Sequence, residues 1–587
     1  MRGKTSAARN SYQERAMRSV YLFRASEKLV GGVKWGYINQ KGVFVLPPVY
    51  DHAGDFEDSG LAIIGFMGLD GLIDTNGYFV VKPKYETIHP FSEGRATVID
   101  KGRYKVIDEM GKEITERSYE FIGDYKEGRA VAAVSDLKGI LRYGFLNRWG
   151  KDVIPPEFEA ASEFKEGKAL VKIKDGLFAL ISLTGKKLHT YQYANVENYG
   201  EERLAFQAVQ NGKYGYMDEK ADIMITPRFS WAGPFTEGRA IINVSDDDIQ
   251  NKYGLIDRNG FYFIKPAYES IHYLGEGRIA LGKAIQANKP YMGLRYALAD
   301  LDGHILTGFL YNSIDQFEKG MASASNNLYT FFIDRNGKRI EGFPAQSGNG
   351  ALYQDKTLIR GEMDLRLFYF DKSGKLIWRQ NKKIPLNNTY SIVEKKYKPN
   401  KDYLVYYPQL EGIESEKVQH SVNERLKELS GLKQISQNEQ LESNYSGDFE
   451  VTFYQKKLVV IEVNGYDYHF GAAHGMPVKK YAHVNLDTGE FFQLRDLFKK
   501  DSSYIKTLNG IIEDQIKNDE KYSYVFQGRF KGIRPAQPFF ISEDTLNIYF
   551  DPYEIAPYAA GFPTFQIPFE EIDSIIDKKA PFWQSFN

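Results

Sequence analysis

From about residue 20 to 380 the chain runs in short apolar stretches, each stopped by a turn-forming residue. Three stretches display the unit: "GLIDTNGYFVVKPKYETIHPFSEGRATV" (71–98), "YGYMDEKADIMITPRFSWAGPFTEGRAII" (214–242) and "YGLIDRNGFYFIKPAYESIHYLGEGRIAL" (253–281). The shared pattern is aromatic-Gly (Asp70-Gly71 in the first), an apolar pair, Asp-x-x-Gly (Ala221 in the second), an apolar run, Pro-x-aromatic, Glu-Gly-Arg, and a final run of small and apolar residues. The turn opener recurs at Asn39, Asp74, Asp108, Asn147, Ser182, Asp218, Asp257, Asp300, Asp334 and Asp371, in steps of 34 to 43 residues. Gly follows three places later every time except at Ala221. A side-chain oxygen that caps the turn, and a residue that takes positive φ, together predict a hairpin in each unit. Prolines 47, 48, 83, 155, 156, 227 and 266 are expected just after its second strand, where a lost donor does little harm.

Hairpins at a fixed period predict an all-β repeat array over 21–380. A propeller-like array is expected, with a stacked-hairpin solenoid as the alternative, because ten units exceed the usual roughly four to eight blades. The pattern stops at "NKKIPLNNTY" (381–390). Beyond it the periods mix. Val418, Val422, Leu426 and Leu429 are at helical spacing, 501–519 reads as a second helix, and 457–470 and 544–550 read as strands. An α+β domain over 390–578 is predicted, so the chain as a whole is mainly β.

Composition refines this picture in three ways. The 41 Tyr and 39 Phe favour strands. A formal net charge of -1 gives no bulk attraction to nucleic acid or membrane. Cysteine is absent, which removes disulfides, thiolate metal sites and thiol nucleophiles together. A basic segment covers 1–20, with Arg2, Lys4, Arg9, Arg15 and Arg18. The apolar run behind it, 20–23, is too short for an export signal, and no stretch approaches the roughly 20 apolar residues of a membrane span.

Two features carry candidate chemistry. Arg95, Arg129, Lys168, Arg203, Arg239 and Arg278 recur at one corner of the unit, a row that would suit an anionic polymer. The simpler reading pairs them with Glu93, Glu127, Glu166, Glu237 and Glu276 to hold units together. The second feature is "YDYHFGAAHGM" (466–476). His469, His474 and His483, with Asp467, are possible zinc ligands. No HExxH-type helix carries them, and His474 is read as a buried or capping hydrogen-bonding residue. No phosphate loop, nucleophile elbow or dinucleotide fingerprint is present, so no catalytic residue, metal site or cofactor is assigned.

The repeats, "KWGYINQKGVFVLPPVYD" (34–51) among them, resemble the bacterial WG (KWG) repeat family. Downstream, "GAAHG" (471–475), "VNLDTGEFFQLRDLF" (484–498) and "PYEIAPYAAG" (552–561) resemble the extracellular domain of RsiV-type anti-sigma factors, which also accompanies the catalytic module of PdaC-type peptidoglycan deacetylases. One departure is Ala472 after Gly471, where the family loop tends to read Gly-Gly-Ala-His. The resemblance implies a non-enzymatic domain at the cell envelope that binds a protein such as lysozyme, or a wall polymer. The alternative is an enzyme acting on wall glycans through an unrecognised site. The residues singled out for ligand binding are Pro552, Tyr553, Pro557, Tyr558 and His474. Prolines lower the entropy lost on docking and tyrosines supply contact area. The same segment also reads as a strand end packed on the helix at 501–519.

Overall fold

The computed structural model describes residues 21–247 and 249–587, so the basic 1–20 segment lies outside the described residues. These form two compact units. Residues 35–379, with those up to 25, make the first; 26–34 and 380–587 make the second. The strands Phe23–Leu29 and Gly32–Ile38 belong to the first sheet of the array, as the repeat pattern assigns them, while residues 26–34 also group with the second unit.

The first unit contains ten antiparallel sheets of three or four strands in chain order. The fourth is representative, with strands Phe121–Ile122, Arg129–Ser135, Leu141–Asn147 and Asp152–Phe158. Its core residues interleave with those of the fifth sheet: Phe145, Ile154 and Phe158 meet Phe164, Val171 and Ile181. Apolar burial therefore lies between neighbouring sheets, which is why one unit cannot fold alone.

The Asp-x-x-Gly turn behaves as its residue types predict. The Asp74 carboxylate accepts the amides of Asn76 and Tyr78, both at 2.9 Å, and Gly77 takes φ +82°. The prolines depart from expectation. They lie within the outer strand, which carries no ladder beyond it, and the pairing shifts register there. The bulge drives the strand over the glycine of the aromatic-Gly pair: a Cβ on Gly144 would stand 2.4 Å from the Ile154 carbonyl oxygen. That close approach is what the repeated glycine permits.

The Glu-Gly corner is a two-residue hairpin with positive φ at both positions, for example Glu127 at 53° and Gly128 at 74°. Glutamate is an unusual residue there. Its side chain acts on the next sheet: the Glu93 carboxylate accepts the amides of Glu127 and Gly128 at 2.8 Å, and Glu127 accepts those of Glu166 and Gly167. The basic residue reaches forward too. Arg95, Arg129, Arg239 and Arg278 donate Nε to the carbonyls of Arg148, Leu183, Leu301 and Arg335. The expected Glu–Arg pairing is thus corrected. Where these side chains join neighbouring units they bond backbone of the next unit; Lys168 instead takes a glutamate, Glu219, at 2.6 Å, and Arg203 donates to the Glu202 carbonyl of its own unit.

The array closes on itself. Where the turn residue is glycine, a Cβ on it would strike the sheet before it: Gly77 meets Leu46, Gly185 meets Ile154, Gly374 meets Pro344. Gly42, in the first sheet, meets the Ile377 carbonyl oxygen of the tenth at 2.5 Å. Phe23 packs on Tyr369 with ring centroids 5.4 Å apart, inside one core with Ile38, Leu358 and Trp378. Arg360 bonds Asp55 at 2.5 Å, and Arg24 bonds Glu362 at 3.0 Å. The same contact that joins consecutive sheets joins the last to the first, as in a propeller and unlike an open solenoid.

In the second unit the strands are β1 (Lys383–Pro385), β2 (Ser391–Asn400), β3 (Tyr403–Glu411), β4 (Ser443–Gln455), β5 (Leu458–His469) and β6 (Met476–Asn485), one sheet in that order. Only β3 and β4 pair in parallel, and the crossover between them carries α1 (Glu416–Leu429). Ser415 caps α1 by accepting the Val418 amide. Val422 and Leu426 bury against Val459, Ile461 and Val463 on one sheet face. Leu458 and Val460 face the other way, onto α2 (Tyr504–Asn518) and the sheet β7 (Phe539–Ile541), β8 (Thr545–Tyr549) and β9 (Thr564–Pro568). The 26–34 segment joins this unit through a Gly31 amide bond to the Val451 carbonyl at 2.8 Å. Buried Lys28 bonds Glu394 at 2.9 Å and Asp448 at 2.7 Å, over the Phe449 ring.

Candidate functional site

The loop after β5 is organised by Gly475, which is buried. Its amide donates to the Tyr466 hydroxyl at 2.9 Å, and its carbonyl accepts from the Tyr558 hydroxyl at 2.9 Å. A Cβ there would stand 2.6 Å from the Tyr466 ring, so no larger residue fits without displacing that ring. This tie brings the two sequence motifs together. The His474 ring stacks on Tyr558 with centroids 4.1 Å apart, and its Nε2 lies 3.2 Å from the Tyr553 hydroxyl. The Tyr466 hydroxyl pushes the Tyr558 pKa above its ordinary value. His474 is exposed, which removes the buried alternative of the expectation and leaves the hydrogen-bonding one, with Nδ1 3.1 Å from the Gly475 carbonyl.

The segment 552–558 serves two ends. Ile555 and Ala556 are buried in the core that holds Leu508 and Ile512 of α2. Tyr553, between them and the buried Pro552, is 53% exposed at φ +68°. A tyrosine in the left-handed region is held against its own preference. The Asp551–Glu554 turn that imposes this has the Glu554 amide on the Asp551 carbonyl at 3.1 Å. Pro557 precedes Tyr558 in extended conformation. So the structure gathers Tyr553, Tyr558 and His474 into one patch, and Pro552 and Pro557 precede its two tyrosines in the chain. Tyr466, which sequence reasoning did not single out, completes it. Its only signal was an aromatic nine residues before Gly475.

The other histidines lie elsewhere. His469 is exposed, 3.9 Å from Asp467. His483 is 2% exposed and lies flat on Phe539, 4.2 Å away at 2°. Burial pushes its pKa down to about 3, so it is neutral at physiological pH. Among the described residues no three His, Asp or Glu side chains converge as metal ligands would.

Comparison with known proteins matches both halves. The WG containing repeat matches residues 35–65, 71–104, 106–136, 143–178 and 214–246. The family described as "Protein of unknown function (DUF3298)" matches 495–570. The peptidoglycan-N-acetylmuramic acid deacetylase PdaC of Bacillus subtilis is 31% identical over 113 residues, 19% of this chain and 24% of that protein. The anti-sigma-V factor RsiV of Bacillus subtilis is 29% identical over 184 residues, 29% of this chain and 63% of that protein. The chain thus matches less than two thirds of either relative. A crystal structure of a DUF3298 family member from Bacteroides fragilis is 18% identical, covering 34% of this chain and 98% of that one, with a TM-score of 0.26. The chain carries WG repeats in its N-terminal half and a C-terminal DUF3298 domain homologous to parts of RsiV and PdaC.

Proposed function

We propose that this is a non-enzymatic recognition protein of the bacterial cell envelope, whose second unit docks a protein such as lysozyme on the patch formed by Tyr553, Tyr558, His474 and Tyr466. One observation carries the reading: Tyr553 stands 53% exposed at φ +68°, stacked on His474, tilted against Tyr558 and held by a core-anchored segment. A rigid, exposed tyrosine with a free face offers contact area at low entropic cost. The relation to RsiV makes lysozyme the first ligand to try, and a wall polymer the second. Calorimetric titration of the full chain with lysozyme tests it. Saturable binding at or below about 10 μM supports the reading, and no detectable complex at about 0.1 mM contradicts it.

Hydrolysis of wall glycans is the second reading. It would draw on a carboxylate pair such as Glu450 and Glu462, directly opposite on β4 and β5. Burial, then Glu462, raises the Glu450 pKa, as a general acid would need. Glu462 is already committed to the Tyr481 hydroxyl and Lys479, which favours recognition over catalysis.

A further inference from the structure

A groove of about 610 Å³ runs along the outer edge of β6. One wall is α1, through Arg425 and Leu429; the other is the 536–539 segment, ending in Pro538 and Phe539. The floor is a strand edge, because β6 is the last strand of its sheet.

The direction of each backbone group on that edge can be worked out. The Phe492 amide bonds the His483 carbonyl, and the Asn485 amide bonds the Glu490 carbonyl, both at 2.9 Å. Residues 483 and 485 therefore point away from β5. Antiparallel pairing alternates, so Lys479 and Tyr481 point outward too, while Lys480 and Ala482 bond β5. The Lys479 carbonyl accepts the Tyr549 hydroxyl at 3.1 Å. The Lys479 amide, the Tyr481 amide and the Tyr481 carbonyl have no partner among the described residues. An edge of this kind is a template for another strand.

Two further observations point to an occupant. His483, where the pairing with 490–492 ends, lines the groove, and its buried Nε2 has no partner among the described residues. Buried polar atoms are seldom left so. The charges that line the groove are Arg425, Lys479, Lys480 and Asp551. Arg425 has Glu428 at 2.7 Å and Lys479 has Glu462 at 3.9 Å, whereas Lys480 is exposed on the α1 side.

We propose that the free edge of β6 takes up an extended polypeptide segment as a seventh strand, with acidic side chains turned toward Lys480 and Arg425. Unsatisfied donors and acceptors repeating every second residue match a peptide backbone, which repeats every ~6.6 Å. The open stretch 477–481 spans roughly 17 Å, the length of a segment of about five residues. Side chains of the added strand alternate between the basic α1 wall and the apolar wall at Pro538 and Phe539. This inference is independent of which protein docks on the tyrosine patch.

The test uses the full chain and the peptide Ac-Val-Glu-Val-Glu-Val-Glu-NH2, with a copy N-methylated at alternate residues as control. Hydrogen exchange is followed at the Lys479 and Tyr481 amides. Both are expected to exchange freely alone and at least about tenfold more slowly with saturating peptide. Lys480→Glu and Arg425→Glu, at exposed positions, are expected to weaken binding about tenfold or more with unchanged melting temperature, and the N-methylated copy is not expected to bind. The proposal is overturned if the peptide fails to bind at about 1 mM. Binding that leaves both amides unprotected, or equal binding of the N-methylated copy, overturns it as well. Lysozyme binding without peptide uptake would overturn this inference and leave the tyrosine patch standing.

Discussion

His483 offers a stability test whose size follows from the structure. Its imidazole is buried, flat on Phe539 and edge-on to Phe582 at 5.8 Å. Burial lowers its pKa from 6.5 to about 3 in the folded state. The unfolded chain therefore takes up a proton that the native state refuses, and the window is set by those two values. Above about pH 6.5 the native state loses nothing; as pH falls from there toward 3, stability declines. Between pH 7 and pH 5 the loss from this one group is about 2 kcal/mol. Replacing His483 with Phe keeps the flat ring, removes the unpartnered Nε2 and removes the titration. At pH 7 the variant should be as stable as the parent or up to about 1 kcal/mol more so. Calorimetric unfolding of both full chains at pH 7 and pH 5 isolates the effect as a difference of differences, since other titrating groups cancel. The variant should gain about 2 kcal/mol on the parent as pH drops. If the two stabilities fall in parallel, His483 does not titrate as burial requires and the reasoning fails.

Ring closure predicts that Gly42→Ala, which forces a Cβ against the Ile377 carbonyl, costs more than Gly68→Ala, which has a φ of +78° as well but open space around it. The extra loss should be on the order of 1–3 kcal/mol by thermal unfolding, and equal losses would mean the first and tenth sheets do not meet. Lys28→Met should destabilise the second unit by on the order of 3 kcal/mol, because Glu394 loses a buried partner; a loss below about 0.5 kcal/mol would show that 26–34 is not held there. His474→Ala, at an exposed position, should cost no more than about 0.5 kcal/mol, and a much larger loss would restore the buried reading.

Legibility in the sequence followed the reach of each interaction. The Asp-x-x-Gly turns were readable because an Asx side chain bonds amides two and four residues on, and α1 was readable from Val418, Val422, Leu426 and Leu429 alone. The function of Glu93 and Arg95 was only half readable. That they join units followed from their strict repetition, but their partners are backbone groups 34 to 53 residues away, which residue types do not disclose. Ring closure was out of reach for the same reason: nothing local to Gly42 announces Ile377. At the site, Tyr553 and Tyr558 stood out by composition, while Tyr466 and the open edge of β6 depend on where Gly475 and the sheet end place them. For His474 the sequence left a buried and a capping, hydrogen-bonding residue open; burial there falls on the Gly475 backbone and leaves the ring outside, where it keeps its hydrogen bonds.

Titration of lysozyme into the parent and Tyr553→Ala full chains, side by side, puts the docking assignment to its most direct test. The parent should bind, and the variant should bind about 5- to 30-fold more weakly, equivalent to roughly 1–2 kcal/mol, with its melting temperature unchanged. Equal affinity of the two chains, or no binding by the parent, would contradict the assignment of this patch as the site where a protein docks.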